Sequence, residues 1–300
     1  MSQRFAFASH QHTLAGPAVF AGVGLHTGRR VRAAILPAPA GSGIVFLRTD
    51  VKGDGRIEAR AHNVSSTRLS TVIGNAAGAT VSTVEHLMAA LHGLGVDNAL
   101  VELDGPEAPI MDGSAAPFVS LIDRAGRRPQ ESPQRVIEIL ERVEVIDGDK
   151  CAALAPAPVF ELSVEIDFAS AAIGRQRLDM VMDEQSFRTE LAGARTFGFL
   201  HEVEALRSAG LAQGGALDNA IVVDGDRILN VEGLKRPDEF VRHKAVDAIG
   251  DLATLGGPIL GRYEGRRAGH ALNNALARAL LASPRSFRIS QLSPAMAEAG

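Results

Sequence analysis

Three side chains able to bind a metal ion or carry a proton stand four residues apart in the second half of the chain: His243, Asp247 and Asp251. In an α-helix, side chains four residues apart lie on one face. An imidazole nitrogen and a carboxylate oxygen one helical turn apart can bind the same zinc ion. A polar face exposed to solvent has the same pattern, and spacing alone favours that interpretation. The segment therefore indicates a metal site only if a further ligand comes from elsewhere in the chain.

A second segment places a carboxylate beside an imidazole, since Glu85 is followed by His86. This pair is suited to metal-assisted hydrolysis, in which the carboxylate acts as a general base next to a metal ligand. The structural alternative is a capping box, in which Ser82 and Glu85 bind the backbone at the start of a helix. His92 lies about 120° around the helix from His86, so these two imidazoles are poorly placed to share an ion.

A third candidate, His270, stands at the start of a predicted helix. A histidine there can stabilise an oxyanion or protonate a leaving amine. Asp251 is a candidate partner, because carboxylates commonly orient working histidines. The alternative is an ordinary helix-terminal histidine that is hydrogen-bonded to the backbone.

Hydrophobic periodicity predicts the elements that position these side chains. Apolar residues recur at helical spacing in residues 82–92, 238–255 and 270–281. Strand patterns occur at residues 31–36, 44–48, 99–103, 135–145 and 160–168, a loop is predicted at 106–117, and a polar linker at 124–134. A short repeat, DNALV at 97–101 and DNAIV at 218–222, suggests two related halves. Strands and helices mixed in both halves favour an α+β fold.

The composition excludes several classes of function. The 300 residues carry a formal net charge of -4 and one cysteine, so neither a general nucleic-acid footprint nor an intrachain disulfide is expected. The first residues lack the pattern of a signal peptide, and no apolar run approaches the ~20 residues that span a bilayer. We therefore expect a cytoplasmic protein without stable membrane insertion, long enough for two domains.

Five segments resemble a known family, the zinc-dependent UDP-3-O-acyl-N-acetylglucosamine deacetylases of bacterial lipid A synthesis. They are GVGLHTG (22–28), STVEHLMAALHGLGVDNALVELDGPEAPIMDGSAAPF (82–118), ARTFGF (194–199), DEFVRHKAVDAIGDL (238–252) and GHALNNAL (269–276). They occur in the family's order, and the second and fourth are highly specific, which leaves little room for a chance match.

The resemblance implies an α+β fold of two similar domains, each a β-sheet packed with α-helices, with the active site at their interface. The N-terminal domain is expected at residues 1–126 and the C-terminal domain at residues 127–300. An insert at about residues 200–222 is expected to line a hydrophobic acyl passage.

The resemblance also implies one catalytic Zn²⁺ bound by His86, His243 and Asp247, or Fe²⁺ at the same site in iron-rich cells. Glu85 is expected to be the general base that activates water. Two histidines, one carboxylate and an open position are the ligand set of a catalytic zinc site.

The remaining catalytic expectations concern the oxyanion and the leaving group. Thr196 is expected to stabilise the oxyanion through its hydroxyl. His270, paired with Asp251, is expected to stay protonated and to protonate the departing amine. Lys244 is expected to lie near the substrate.

The implied reaction is hydrolysis of the N-acetyl group of UDP-3-O-(3-hydroxyacyl)-N-acetylglucosamine, the committed step of lipid A synthesis. Lys150, Phe168 and Arg267 are expected at the nucleotide, and Phe197 is expected to flank the sugar. The acyl passage is expected to be lined by Leu200, Val203, Ala212, Gly215, Ala216, Ala220 and Val222. Small and aliphatic side chains suit such a passage, and ordinary core packing is their alternative.

Three positions depart from the family pattern. Cys151 replaces a large aromatic residue, Arg68 stands where an apolar residue is usual, and the segment after Phe168 is shorter than in some relatives. None of these positions is an expected metal ligand, the base or His270.

The leading hypothesis is this deacetylase, acting as a monomer on a small UDP-sugar. A second is a related metal-dependent amidohydrolase that acts on another acylated amino sugar. A third, from a different class, is a non-catalytic binder of nucleotide sugars. The third is disfavoured because the candidate base, ligands and His270 are all present together.

Overall fold

A computed structural model describes residues 8–292. The strands in chain order are β1 (His10–Leu14), β2 (Ala18–Val23), β3 (Arg30–Pro37), β4 (Ile44–Arg48), β5 (Arg56–Glu58), β6 (Val64–Ser66), β7 (Val72–Gly74), β8 (Thr80–Val81), β9 (Ala99–Leu103), β10 (Arg127–Ile139), β11 (Val143–Asp147), β12 (Lys150–Ala155), β13 (Phe160–Asp167), β14 (Arg175–Val181), β15 (Phe197–Phe199), β16 (Ile221–Asp224), β17 (Arg227–Ile228), β18 (Ile259–Arg266) and β19 (Phe287–Leu292). The helices are α1 (Glu85–Gly93), α2 (Ala116–Ala125), α3 (Glu184–Ser186), α4 (Leu200–Ser208), α5 (Glu239–Leu252) and α6 (His270–Leu281).

Two larger sheets and two small ones organise the described chain. The first larger sheet has the order β2-β3-β9-β4-β5, and the second has β1-β10-β18-β12-β11, with β13 and β14 beside β18 and β19 beside β10. The small sheets are β6-β7-β8 and β15-β16-β17. Strands and helices therefore occur together in both halves, and the predicted α+β class is confirmed. Within residues 8–292, no helix has the length and apolar character needed to cross a membrane.

The predicted polar linker at 124–134 is wrong, because most of it belongs to strand β10. The first half of β10 pairs with β1 and the second half with β19. Pro129 and Pro133 lack an N–H donor. They lie in the half of β10 that pairs with β1 but with neither β18 nor β19, and proline is tolerated on such a strand edge. Polar side chains that suggested a loop are bonded instead, since Gln134 donates to Asp97 and Gln130 accepts from Asn98. The expected domain boundary after residue 126 falls between α2 and β10 and stays a prediction.

The two helices that carry candidate chemistry are almost entirely buried. α1 buries every residue except His92, and α5 buries all but Arg242 and Lys244. The interpretation of His243, Asp247 and Asp251 as a solvated polar face is therefore wrong. Their face of α5 lies inside the protein, where polar atoms need partners.

Several predicted elements match the structure, and others are corrected. Strands 44–48 and 99–103 and helix 270–281 occur with the predicted bounds. The predicted strand 135–145 is two strands, since β10 ends at Ile139 and β11 begins at Val143. The DNALV and DNAIV repeats lead into β9 of the five-stranded sheet and β16 of a small sheet, so they do not mark equivalent strands.

Candidate metal centre and substrate cavity

The candidate chemistry is assembled where α1 crosses α5. Gly250 faces α1 so closely that a Cβ built on it would lie 2.0 Å from the Glu85 carbonyl oxygen. Only glycine permits this approach of the two backbones. The close crossing brings Glu85 and His86 of α1 opposite His243 and Asp247 of α5, although they are more than 150 residues apart in sequence.

Three buried side chains converge there, and we call His86, His243 and Asp247 the His–His–Asp cluster. One ligand atom from each lies within 4.8 Å of the other two. Oδ1 of Asp247 is 3.3 Å from His243 Nε2 and 3.6 Å from His86 Nε2. His86 Nδ1 and Asp247 Oδ1 are buried without a hydrogen-bond partner among residues 8–292.

The donor set of the cluster suits a cation. Nδ1 of His243 lies 3.0 Å from the carbonyl oxygen of Ala194, which assigns the proton to Nδ1 and leaves a lone pair on Nε2. That lone pair faces Asp247 Oδ1, and two lone pairs at this distance repel each other unless a cation lies between them. The residues therefore fit a divalent metal ion bound by two imidazoles and one carboxylate.

The protonation states agree with ligation. Burial lowers the pKa of His243 to about 4, so its imidazole is neutral, the form that binds metals. Burial alone raises the pKa of Asp247, but the nearby His243 and Lys244 outweigh it and hold that pKa well below its usual range. Lys244 Nζ donates to Asp247 Oδ2 at 2.9 Å, so Oδ1 is the oxygen that stays available.

Glu85 does not cap its helix. Its Oε2 accepts a 3.0 Å hydrogen bond from the Thr71 backbone N–H, and no side-chain cap bond occurs at the start of α1. The capping-box alternative is therefore wrong, and Ser82 Oγ donates instead to the Pro106 carbonyl. Burial raises the pKa of Glu85, against the opposing influence of His270 and His86.

His270 is paired with a carboxylate rather than with the backbone, so the helix-terminal alternative is also wrong. Its Nδ1 lies 2.9 Å from Asp251 Oδ2, and its Nε2 lies 4.0 Å from Glu85 Oε1. Burial alone lowers the pKa of His270, but the charges of Asp251, Glu85 and Asp247 outweigh it and raise that pKa to about 10. The imidazole is therefore protonated at neutral pH.

Sequence reasoning missed the residues that hold Asp251. Thr71 Oγ1 donates to Asp251 Oδ1 at 2.5 Å, and Asn273 Nδ2 donates to Oδ2 at 2.8 Å. The buried Tyr263 hydroxyl donates in turn to Asn273 Oδ1 at 2.6 Å. The sequence did offer a signal for Asn273, because this residue stands one helical turn after His270 in the GHALNN segment. Thr71 gave none, because its partners are distant in sequence.

A cavity of about 860 Å³ opens above the cluster. Thr196, Lys244 and His270 line it, while Glu85, His86, His243, Asp247 and Asp251 are buried. Every residue expected to contact the substrate also lines it: Phe197, Lys150, Phe168, Arg267, Leu200, Val203, Ala212, Gly215, Ala216, Ala220 and Val222. The structure thus brings every residue that was expected to contact the substrate to one cavity, and the roles of these residues stay predictions.

The cavity lining combines aromatic, charged and aliphatic side chains. Phe168 and Phe197 meet edge to face with ring centroids 5.6 Å apart, and Lys244 Nζ lies 5.5 Å from the centre of the Phe197 ring. Arg267 pairs with Asp149 beside Lys150. Elsewhere the lining is mainly aliphatic, and it includes residues that were not expected from the sequence: Leu25, Leu206, Leu217, Leu229 and Leu69. Arg68 lines the cavity too, whereas Cys151 does not.

This chain is similar to known proteins over most of its length. The family model for UDP-3-O-acyl N-acetylglycosamine deacetylase matches residues 11–282. A UDP-3-O-acyl-N-acetylglucosamine deacetylase of Phenylobacterium zucineum (strain HLK1) is 65% identical over 290 residues, covering 96% of this chain and 99% of that protein. Proteins of the same name are 51% identical over 280 residues in Myxococcus xanthus (93% and 89% covered) and 53% identical over 273 residues in Acidithiobacillus ferrooxidans (90% of each).

Proposed function

We propose, from the premise that this chain belongs to the UDP-3-O-acyl N-acetylglycosamine deacetylase family, that it hydrolyses the N-acetyl group of UDP-3-O-(3-hydroxyacyl)-N-acetylglucosamine. The products are acetate and the free amine, in lipid A biosynthesis. The observation that carries the proposal is the buried His–His–Asp cluster beneath the cavity, next to Glu85, whose Oε1 lies 4.0 Å from His270 Nε2.

We propose Zn²⁺ as the metal, held by His86, His243 and Asp247, with Fe²⁺ fitting the same two imidazoles and one carboxylate. When bound, such an ion acidifies a water molecule and polarises the acetamide carbonyl. The unpartnered Asp247 Oδ1 and the Nε2 lone pair of His243 support this ligand set. Lys244 keeps Asp247 ionised and is also close enough to the cavity to contact substrate.

Glu85 is the proposed general base. Its Oε2 is occupied by the Thr71 N–H, which leaves Oε1 to take a proton from the attacking water. Burial raises the pKa of this carboxyl and so makes it a stronger base than an exposed glutamate. As the water oxygen bonds to the carbonyl carbon, the proton moves to Glu85 and negative charge develops on the carbonyl oxygen.

His270 and Thr196 are the proposed groups for that negative charge and for the leaving amine. The protonated imidazole of His270 stabilises the oxyanion electrostatically, and the Thr196 hydroxyl donates a hydrogen bond to it. When the C–N bond breaks, His270 gives its Nε2 proton to the sugar nitrogen. Asp251 holds the His270 ring by Nδ1, so Nε2 is the nitrogen directed toward the reacting atoms.

The cavity supports the proposed substrate contacts. Lys150 and Arg267 supply positive charge for the diphosphate, and Phe168 supplies an aromatic face at the nucleotide end. Phe197 is proposed to flank the sugar. The aliphatic residues between 200 and 222 are proposed to receive the acyl chain, since they line the same cavity. We further propose that the enzyme acts as a cytoplasmic monomer.

Acetate release from this substrate tests the proposal. Release should stop when the metal is removed by a chelator and return when one equivalent of zinc is restored. Metal binding without acetate release would instead favour a related amidohydrolase acting on another acylated amino sugar. A folded protein that neither binds metal nor releases acetate would indicate a non-catalytic binder.

A further inference from the structure

A fully buried carboxylate lies outside the catalytic groups, in the PEAPIMDG segment. Glu107 is 0% exposed. Its Oε1 accepts from the His26 N–H (2.9 Å) and the Thr83 hydroxyl (3.0 Å), and its Oε2 from the Thr27 N–H (2.9 Å) and hydroxyl (2.7 Å). Within residues 8–292, no lysine or arginine pairs with it. A carboxylate buried without a cation is costly, and these four donors are what offset the cost.

Three of the four donors belong to one loop, which we call the 24–28 loop. The loop is a tight turn, in which the Gly28 N–H donates to the Gly24 carbonyl at 3.0 Å. It wraps so closely around the carboxylate that a Cβ on Gly24 would lie 2.3 Å from Glu107 Oε2. On its other side, Leu25 and His26 line the substrate cavity. Glu107 therefore fixes a piece of the cavity wall without touching the cavity.

The same loop holds the segment opposite it. The Gln213 N–H donates to the His26 carbonyl (3.1 Å), and the Gly214 N–H donates to the Leu25 carbonyl (3.0 Å). A Cβ on Gly214 would lie only 2.2 Å from the Gly24 carbonyl oxygen, so side chains are excluded from this contact. We call these two hydrogen bonds the clasp. Ala212 and Gly215, on either side of the clasp, line the cavity.

Besides the clasp, residues 212–216 are bonded mainly to their own sequence neighbours. Arg207 donates to the Gly215 carbonyl (2.7 Å) and Asn219 Nδ2 donates to the Gly214 carbonyl (2.9 Å), while Ala212 is buried. Helix α4, which precedes this segment, has no fully buried residue. Regions with few buried contacts open locally at low free energy, so an attachment by two backbone hydrogen bonds has a large influence on them. We call residues 212–216, of which Ala212, Gly215 and Ala216 line the cavity, the residue 212–216 wall. The position of this wall therefore depends on the 24–28 loop, and the position of the loop depends on Glu107.

We propose that Glu107 is a positioning residue for acyl-chain binding: its carboxylate holds the 24–28 loop, and the loop holds the residue 212–216 wall through the clasp. This inference rests on the proposed function for the nature of the ligand. A carboxylate is required because all four neighbours donate. Glutamine has nearly the same shape but turns an NH₂ group toward two of those donors.

The experiment compares Glu107→Gln with the unaltered enzyme on two substrates, one with a 3-hydroxytetradecanoyl chain and one with a 3-hydroxybutanoyl chain. We expect KM for the long chain to rise about tenfold, with kcat and the short-chain KM within about twofold. Thr83→Val is the matched control, because it removes the one bond to this carboxylate that does not come from the loop. It should leave the ratio of the two KM values unchanged.

Amide hydrogen exchange gives a readout that does not depend on activity. The Gln213 and Gly214 amides should exchange faster in Glu107→Gln, and at the unaltered rate in Thr83→Val. If Glu107→Gln does not fold, Thr27→Val, which removes one hydroxyl donor of the loop, should show the same pattern more weakly. Gly214→Ala, which breaks the clasp from the other side, should reproduce the long-chain defect.

Two results overturn the inference. One is equal loss of kcat on both substrates, which would show that Glu107 acts through Thr83 on helix α1, which carries Glu85 and His86. The other is unaltered exchange at Gln213 and Gly214 with unaltered KM values. If the unaltered enzyme releases no acetate, the proposed function fails by itself, and the exchange rates still decide whether Glu107 holds the clasp.

Discussion

The floor and the wall of the cavity are built in opposite ways. The floor is the crossing of α1 and α5, where the His–His–Asp cluster, Glu85 and Asp251 are all buried. The wall near residues 200–217 is a short helix and a loop, and its side chains are half-exposed or exposed except for Ala212. In the floor, the side chains of Glu85, His243 and Asp251 are held by hydrogen bonds, and Asp247 is held through Oδ2. The cluster atoms His86 Nδ1 and Asp247 Oδ1 have no partner among residues 8–292. The wall is held in part by backbone contacts such as the clasp.

This difference separates the chemistry from the selection of the substrate. Metal ligands and proton-transfer groups must be held to a fraction of an ångström, which requires rigid, packed helices. The proposed acyl chain is apolar beyond its 3-hydroxyl group, so the wall that receives it needs a matching shape more than precise angles. Substitutions in the floor should therefore abolish turnover or folding, and substitutions in the wall should change the preference among substrates. Five variants examine this contrast.

Asp247→Ala should have the largest effect, because it removes a proposed ligand that would supply charge as well as geometry. We expect loss of bound metal and, with it, of acetate release. Metal content measured by inductively coupled plasma mass spectrometry checks this. Asp238→Ala, which removes a carboxylate near the start of the same helix away from the cluster, should keep its metal. Full occupancy in Asp247→Ala would contradict the ligand assignment.

Glu85→Ala should keep the metal and lose turnover by roughly 10²–10⁴-fold, the range for a missing general base. Steady-state kinetics and metal content, measured on one preparation, separate this from loss of a ligand. Glu85→Gln should be similarly inactive, since the amide keeps the shape but takes no proton. Near-normal activity in either variant would remove Glu85 from the mechanism.

Gly250→Ala should destabilise the floor itself, because the new methyl group meets the Glu85 carbonyl. Backbone cannot move aside as a flexible side chain can, so we expect a loss of about 1–3 kcal/mol or more in the free energy of unfolding. Urea denaturation followed by circular dichroism measures it. Gly193→Ala is the control, since its Cβ would meet no atom within 4 Å. Equal stability of the two variants would argue against a tight crossing.

Asp251→Asn should change the pH dependence rather than remove the metal. The charges of Asp251, Glu85 and Asp247 face His270 and raise its pKa to about 10, so the protonated form persists above neutrality. Removing the charge of Asp251 lowers that pKa, and the protonated form is then lost at lower pH. The alkaline fall of kcat/KM should therefore move to lower pH. Thr71→Val, which removes a neutral donor to the same carboxylate, should not move it in that direction.

Val203→Phe should have the smallest effect, because it adds volume to the half-exposed wall. We expect KM for a long-chain substrate to rise a few-fold, with kcat retained and the free energy of unfolding changed by no more than ~0.5 kcal/mol. Kinetics on long- and short-chain substrates check this. Val231→Phe, at a fully exposed position outside the cavity lining, is the control. A large loss of kcat would show that floor and wall are not independent.

The sequence predicted most of the floor, because its residues stand at helical spacing within specific segments. His243, Asp247 and Asp251 follow one another by single turns, and Glu85 directly precedes His86. Their burial was not predictable, since a polar helix face is ordinarily solvated. What buries it is the crossing of α1 with α5, a contact between distant segments that depends on Gly250.

Residues that act through long-range hydrogen bonds were not found from the sequence. Thr71 joins Glu85 and Asp251, and Glu107 joins the 24–28 loop to Thr83, across separations that no local pattern records. The same limit explains the error at residues 124–134, where a polar composition is typical of loops. There the polar side chains pair with Asp97 and Asn98, more than 30 residues away.

Strand β10 also constrains the order in which the protein can be completed during synthesis. Its residues 127–133 pair with β1, which leaves the ribosome early, and its residues 134–139 pair with β19, among the last residues described. Until β19 emerges, that half of β10 has an open edge, and open edges invite pairing with other chains. A nascent chain stalled before residue 287 should therefore be aggregation-prone in its second half, while its first sheet, complete by residue 103, already has every strand it needs.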